Sequence, residues 1–280
     1  MEYFIKAYGH PGRRYGLLFF IFCFSLSVQG QGNNTGASAT SLYNEGLGAL
    51  KEKNYEAGLD LMIKALAKAE EENQEKVLDL ARKNGSVAAY NVGNDKRKNG
   101  ELDAAIDFFA KGIELNPENA SNYLGKAMTM EEKGINVETL LAYMEAAEAY
   151  TSAEQEDRAE KMNIKAKNFI VKAFIDKNYD FVIEGGKAYL DVMPNADIHY
   201  YIGKSLAEKN MNDAALKHLS KSITLSEGDA EADFDKLYYA KAQVLENLNK
   251  IDEAISTYKM IKGDKYKDQV EYKIQNLGSN

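Results

Sequence analysis

Histidines and a glycine-rich segment are the first residues in this sequence that could support chemistry. Beyond residue 30 the chain has two histidines, His199 and His218, which form no His-Glu-x-x-His arrangement. Zinc usually takes three or four ligands, so these two favour a surface or interhelix position over a metal site. The segment EGGK at residues 184–187 lacks the spacing of a phosphate-binding loop. We therefore predict a non-catalytic protein with no metal and no cofactor.

The N-terminal segment, residues 1–30, has the pattern of a secretory signal peptide. Lys6, Arg13 and Arg14 precede an apolar run at residues 17–28, and compact residues follow. Spanning a membrane takes about 20 apolar residues, so cleavage near Gly30 is favoured over retention as a membrane anchor, which stays an open alternative. We predict export to the periplasm or the cell exterior. Residues 31–41, which are small and polar, are predicted to form a flexible linker.

The charge and the cysteine content exclude several classes of function. The formal net charge is −8, which is a poor match for nucleic acid or for an anionic membrane surface, because both recruit basic patches. The only cysteine, Cys23, lies inside the apolar run, so the exported chain would have no thiol for a disulfide or a metal. The partners that remain are proteins or peptides, with no direct membrane insertion after signal cleavage.

A repeated helical pattern, which would have to position any binding residues, occupies the chain from residue 42 onward. The turns KNY, KNG, EKG, KNY, KNM and LNK each precede a pair of small and aliphatic residues, and these pairs recur along the whole of this region. In the clearest copy, Gly93, Ala105 and Gly112 are small enough to let two antiparallel helices approach closely. Gly100 permits the tight turn between the helices, and Pro117 ends the second one.

This pattern, in residues 86–119 above all, resembles the tetratricopeptide repeat, a 34-residue helix-turn-helix unit. The resemblance implies an all-α fold, a right-handed solenoid of about six stacked antiparallel helix pairs. A capping helix and tail would follow at residues 263–280. The chain departs from the family pattern in lacking tryptophan and in having weak first and fourth units. The predicted units are residues 42–73, 86–119, 120–153, 163–195, 196–229 and 235–262.

Two long, charged segments separate the predicted units. Residues 66–80 lie between the first and second units, and residues 148–167 lie between the third and fourth. We interpret both as solvated extensions of helices, because their composition is strongly charged rather than rich in glycine and proline. They account for two of the three intervals between units that are longer than one repeat.

The resemblance also implies a binding surface, since the first helix of each such unit lines a concave face that takes peptides or helices. The register places tyrosine at one lining position in four units, with Lys167 at that position in the fourth unit, and amide or basic side chains further along. Tyrosine offers a large contact area at low entropy cost, although aromatic residues at this spacing could instead pack between helices. The predicted partner-binding residues are Tyr43, Tyr90, Asn94, Arg97, Lys167, Tyr200, Lys204, Tyr239 and Gln243.

The sequence thus predicts an exported scaffold that binds protein or peptide segments on its concave face. Two alternatives stay open. A glycan-binding or cell-wall-associated protein could use the same aromatic residues with the carboxylates of residues 227–233. A structural solenoid that associates end to end would need no ligand at all.

Overall fold

A computed structural model describes residues 36–278, and all regular secondary structure in this part of the chain is helical. The predicted signal peptide, the linker up to residue 35 and the last two residues lie outside the described residues. No described helix is both long enough and apolar enough to cross a membrane. The helices are α1 Ala39–Lys51, α2 Tyr55–Glu71, α3 Glu75–Lys98, α4 Leu102–Leu115, α5 Ala120–Lys133, α6 Val137–Ser152, α7 Glu156–Ile175, α8 Tyr179–Val192, α9 Ala196–Glu208, α10 Asn212–Ser226, α11 Phe234–Asn247, α12 Ile251–Tyr258 and α13 Lys267–Leu277, with a 3-10 turn at Asp264–Tyr266.

The first twelve helices form six consecutive pairs, which confirms the predicted all-α stack of helix pairs. Each first helix (α1, α3, α5, α7, α9 or α11) packs on the second helix that follows it. First helices also pack on one another, α1 on α3, α3 on α5, α7 on α9, and α9 on α11. Between the third and fourth pairs it is the second helices, α6 and α8, that pack together.

The turns inside the six pairs share one backbone feature. Each contains a residue with positive φ, at the six positions where the repeated turn motif occurs in the sequence. A positive φ reverses the chain after a helix, and glycine and asparagine adopt it at the lowest cost. These residues are Lys53, Gly100, Gly134, Lys177, Asn210 and Asn249.

The predicted crossing points are places where a side chain of one helix fills the space left by a glycine. The ring of Phe109, fully buried on α4, lies against Gly93 of α3 and Gly125 of α5. A Cβ at Gly93 would lie 2.9 Å from this ring. Gly112 likewise leaves room for the buried amide of Asn122. The helices therefore approach closely because these positions carry no side chain.

Several predicted boundaries differ from the structure. Helix α1 begins at Ala39, so the end of the predicted linker is helical; the Ser38 hydroxyl accepts a hydrogen bond from the Ser41 N–H and fixes that start. Helix α7 begins at Glu156, earlier than the predicted fourth unit, with two acidic residues in its first turn that suit a helix N-terminus. The charged segments at 66–80 and 148–167 are indeed helical on both sides of a short turn.

Helix α13 occupies the place of the predicted capping helix. Val270 packs against Ala242 and Tyr258 of the sixth pair. Before this helix the chain folds back on α11, because the Asp235 carboxylate accepts hydrogen bonds from the N–H groups of Lys262 and Gly263, at 3.0 and 2.7 Å. The sixth pair is therefore covered at its C-terminal side.

Candidate binding surface

All nine residues predicted to bind a partner lie on first helices. Tyr43 is on α1; Tyr90, Asn94 and Arg97 are on α3; Lys167 is on α7; Tyr200 and Lys204 are on α9; Tyr239 and Gln243 are on α11. We call the surface formed by these side chains and their exposed neighbours the first-helix face. None of the nine is buried, and each is partly accessible to solvent.

Three polar members of the first-helix face, Arg97, Lys167 and Lys204, bridge neighbouring first helices in this structure. Each of these three contacts a polar side chain on the next first helix along the chain. Such contacts hold the side chains in place but leave them near solvent, where a ligand group can replace the partner. The bridges are Arg97 to Glu132 at 3.3 Å, Lys167 to Asp197 at 2.5 Å, and Lys204 to Gln243 at 3.4 Å.

Two of the predicted tyrosines are held near the N-terminal pairs. The Tyr43 hydroxyl accepts a hydrogen bond of 3.0 Å from the Asn84 amide of α3. The Tyr90 ring lies 5.9 Å from the ring of Phe109, in a tilted arrangement. Both rings thus contact the neighbouring helices on one side and solvent on the other.

The other two tyrosines belong to an aromatic cluster at the C-terminal end. Tyr239 stacks on Tyr266 with ring centroids 4.7 Å apart, so the segment before α13 covers one of its faces. The ammonium group of Lys236 lies 4.6 Å from the centre of the Tyr200 ring. Burial, with added repulsion from Tyr266, raises the pKa of Tyr200 to about 12, so its hydroxyl keeps its proton at neutral pH.

Exposed apolar side chains on the first-helix face were not among the predicted residues. Val87 is 50% exposed, Ile164 is 48% exposed and Met128 is 36% exposed. Val87 precedes Tyr90 by three residues and Ile164 precedes Lys167 by three, so each shares a helix face with a predicted residue. That three-residue spacing was the signal available in the sequence.

The two histidines are in contact. The sequence indicated that this was possible, because one lies on each helix of the fifth pair. Their Nδ1 atoms are 3.0 Å apart, so one neutral ring donates an N–H to the other. Burial, His218 and Lys221 lower the pKa of His199 to about 4, and burial and Lys187 lower the pKa of His218. Across residues 36–278 there is no group of three or more metal-ligating side chains. This contact therefore joins the two helices of the fifth pair.

The two remaining candidate segments, residues 184–187 and 227–233, contribute to the helical framework. Residues 184–187, with the EGGK sequence, lie within α8, where a Cβ at Gly186 would lie 2.7 Å from Ile202. The acidic segment at 227–233 connects α10 to α11, and its Asp233 carboxylate accepts a hydrogen bond from the Lys236 N–H to cap α11. The Asp233 carboxylate also lies near Tyr200, and its charge contributes to the raised pKa of that tyrosine.

Comparison with known proteins finds a family model that matches two parts of the chain. Residues 88–119 and 235–259 match the family model described as tetratricopeptide repeat. These two segments are similar to that repeat. The first matched repeat is the second helix pair and carries Tyr90, Asn94 and Arg97; the second is the sixth pair and carries Tyr239 and Gln243.

Several solved structures described as tetratricopeptide repeat proteins match this chain at low sequence identity. A thermophilic tetratricopeptide repeat protein of Thermus thermophilus is 17% identical over 87% of this chain and 100% of its own, with a TM-score of 0.29. One from Parabacteroides merdae is 14% identical over 88% of this chain and 100% of its own, with a TM-score of 0.34. YrrB, described as having an unusual peptide-binding site, is 20% identical over 77% of this chain and 82% of its own, with a TM-score of 0.27. No curated protein matches the sequence.

Proposed function

We propose that this protein is an exported, non-catalytic scaffold that binds segments of other proteins along its first-helix face. The observation that carries the proposal is the set of exposed apolar side chains Val87, Met128 and Ile164. They lie on the first helices of three successive pairs, beside residues of the face. Burying such side chains against a partner is favourable by roughly 25 cal/mol per Å² of apolar surface.

The polar side chains of the face would add orientation to this apolar contact. Arg97 and Lys167 already pair with carboxylates on neighbouring helices, and a partner residue could exchange with those carboxylates. Tyrosine rings at Tyr43 and Tyr90 would pack on a bound segment while their hydroxyl groups hydrogen-bond to its backbone. An amphipathic helix or an extended peptide fits this combination of apolar and polar contacts.

Export is the second part of the proposal and rests on residues 1–30. The basic residues, the apolar run at residues 17–28 and the compact residues after it support it. Fractionation of cells that express the full chain, beside cells that express a chain lacking residues 2–30, tests it. We expect only the full chain outside the cytoplasm, with a mass that corresponds to cleavage near Gly30. Cytoplasmic recovery of both chains would contradict export.

The binding face can be tested with a photo-crosslinking amino acid placed at one position at a time. At Met128 the probe would lie on the first-helix face. At Lys217 it would lie at an exposed position of the second helix α10. We expect the Met128 probe to capture defined proteins in the native host and the Lys217 probe to capture none of them. Equal capture at both positions, or capture of glycan at Met128, would contradict the proposal.

A further inference from the structure

Lys204 and Lys236, which lie on neighbouring first helices, have no carboxylate partner, unlike three other basic residues. Arg97, Lys167 and Lys273 each form an ion pair between helices. Lys204 of α9 instead contacts the neutral amide oxygen of Gln243, and Lys236 of α11 lies over the Tyr200 ring. Within the described part of the chain, neither ammonium has a carboxylate within ion-pair distance, although both side chains are half-buried.

Three of the carboxylates near these lysines are engaged elsewhere, and the exposed Glu208, which lines the same cavity as Lys204, is not within ion-pair distance of it. Asp235 accepts hydrogen bonds from two backbone N–H groups before α13. Glu246 pairs with Lys273 at 2.8 Å and also accepts a hydrogen bond from the Tyr258 hydroxyl. Asp233 caps the N-terminus of α11, and its other charged contact is Lys265 at 3.9 Å. Bringing Asp233, Asp235 or Glu246 to either lysine would cost one of these contacts.

The two lysines lie on one continuous part of the face. Tyr200 and Lys204 are one turn apart on α9, and Lys236, Tyr239 and Gln243 share a face of α11. The contacts from Lys236 to Tyr200 and from Lys204 to Gln243 therefore cross between the same two helices. The Tyr200 hydroxyl, which stays protonated, adds a neutral hydrogen-bond donor on the same helix as Lys204.

We propose that this part of the face, formed by Tyr200, Lys204, Lys236 and Gln243, binds an acidic segment of the protein partner. Side-chain carboxylates of that segment would pair with the two ammonium groups and accept a hydrogen bond from Tyr200. Half-buried cations without a counter-ion are complementary to such a segment, and charge-assisted hydrogen bonds are stronger than neutral ones. The inference rests on the proposed function and names the chemistry of its partner.

The test uses the full chain and two short, fluorescently labelled peptides of equal length. One peptide carries four glutamates among serine and leucine residues, and the other carries glutamine at the same four positions. We expect the glutamate peptide to bind more tightly, with an advantage that falls as salt is added. The double variant Lys204→Gln/Lys236→Gln should weaken its binding about three- to tenfold, because two half-exposed ion pairs with the peptide are lost.

The matched control is the double variant Lys217→Gln/Lys259→Gln, which makes the same charge change at exposed lysines of second helices or their ends. We expect it to bind the glutamate peptide within about twofold of the unmodified chain, since distant exposed charges are screened. Equal affinity for both peptides, or equal loss in both double variants, would overturn the inference. Capture at Met128 would then still stand, so failure of this inference and failure of the proposed function are distinguishable.

Discussion

In the second and fifth helix pairs, the two helices approach each other closely through different residues. In each pair a glycine on the first helix is followed, at the same sequence spacing, by the apolar side chain of the second helix that fills its place. In the second pair the two residues are Gly93 and Phe109, and in the fifth they are Gly203 and Leu219. The close approach of the helices is thus retained although the side chain that occupies the gap changes from aromatic to aliphatic.

The pairs differ in the contact next to that glycine. The second pair has Ala89 and Phe108 there, and both belong to one apolar cluster. At the equivalent positions the fifth pair has His199 and His218, whose rings hydrogen-bond to each other. The repeat therefore requires small residues at its crossing points but accepts either apolar or polar contacts beside them. Stability should depend on the crossing points, and its response to pH should depend on the neighbouring contact.

The largest effect is expected at the crossing point of the second pair. Phe109→Ala removes a fully buried ring that contacts two glycines, and such a change costs about 3–5 kcal/mol of unfolding free energy. Urea unfolding followed by circular dichroism measures it. Ile175→Ala is the matched control, because Ile175 is 70% exposed and should change stability by less than about 0.5 kcal/mol. A loss below about 1 kcal/mol for Phe109→Ala would show that the gap closes without its ring.

The corresponding glycine of the fifth pair should give a smaller loss. A Cβ at Gly203 would lie 2.7 Å from Leu219 Cγ, whereas nothing lies within 4 Å of a Cβ at Gly48 in α1. Both changes to alanine favour the helix by about 1 kcal/mol, but only the first forces its neighbours apart, which costs about 1–3 kcal/mol. We expect Gly48→Ala to stabilise the protein, and Gly203→Ala to be less stable than Gly48→Ala by about 1–3 kcal/mol. Equal stability of the two variants would contradict a shared crossing geometry.

Much of this framework could be predicted from the sequence. The repeated turn motif marked the six turns, since each contains a residue that must adopt positive φ. Small residues at Gly93 and Gly112 marked the helix crossings, because only a missing side chain leaves room for Phe109 and Asn122. Local backbone geometry and side-chain size are properties of single positions, so they appear directly in the sequence pattern.

The first-helix face was harder to predict because it depends on contacts between distant residues. Tyr239 shares the lining position with Tyr90, yet only Tyr239 is stacked by Tyr266 from the segment before α13. Lys204 and Lys167 are both basic residues of the face, but only Lys167 pairs with a carboxylate on the next first helix. Repeat register gives the helix face of a residue but does not give the neighbours supplied by the following pair.

The histidine contact of the fifth pair should make stability depend on pH in a way that the second pair cannot. The pKa of His199 is about 4 in the folded protein and about 6.5 when unfolded, so the unfolded chain binds the proton first. Stability is therefore complete above pH 6.5 and falls as pH drops towards 4. Because the ring is half-exposed, solvent screening reduces the effect to on the order of 1 kcal/mol.

The double variant His199→Ala/His218→Phe gives the fifth pair the residues of the second pair. Urea unfolding at pH 7.5 and pH 5 compares it with the unmodified chain. We expect the fall in unfolding free energy between the two pH values to be smaller by on the order of 1 kcal/mol in the variant. The same fall in both proteins would mean that other groups, and not this contact, produce the pH response.

The smallest effects are expected for the bridges that connect each pair to the next. Arg97 and Glu132 join the second pair to the third through an ion pair at 3.3 Å, whereas Lys204 and Gln243 join the fifth to the sixth through one charged group at 3.4 Å. A double-mutant cycle with glutamine at Arg97 and Glu132 should give a coupling of about 0.2–1 kcal/mol that declines with added salt. The cycle with Lys204→Gln and Gln243→Ala should give a smaller coupling that salt hardly changes, because amide oxygens carry no net charge. Equal salt dependence in the two cycles would mean that the Lys204 ammonium has a carboxylate partner in solution, which would also remove the reason to expect an acidic ligand there.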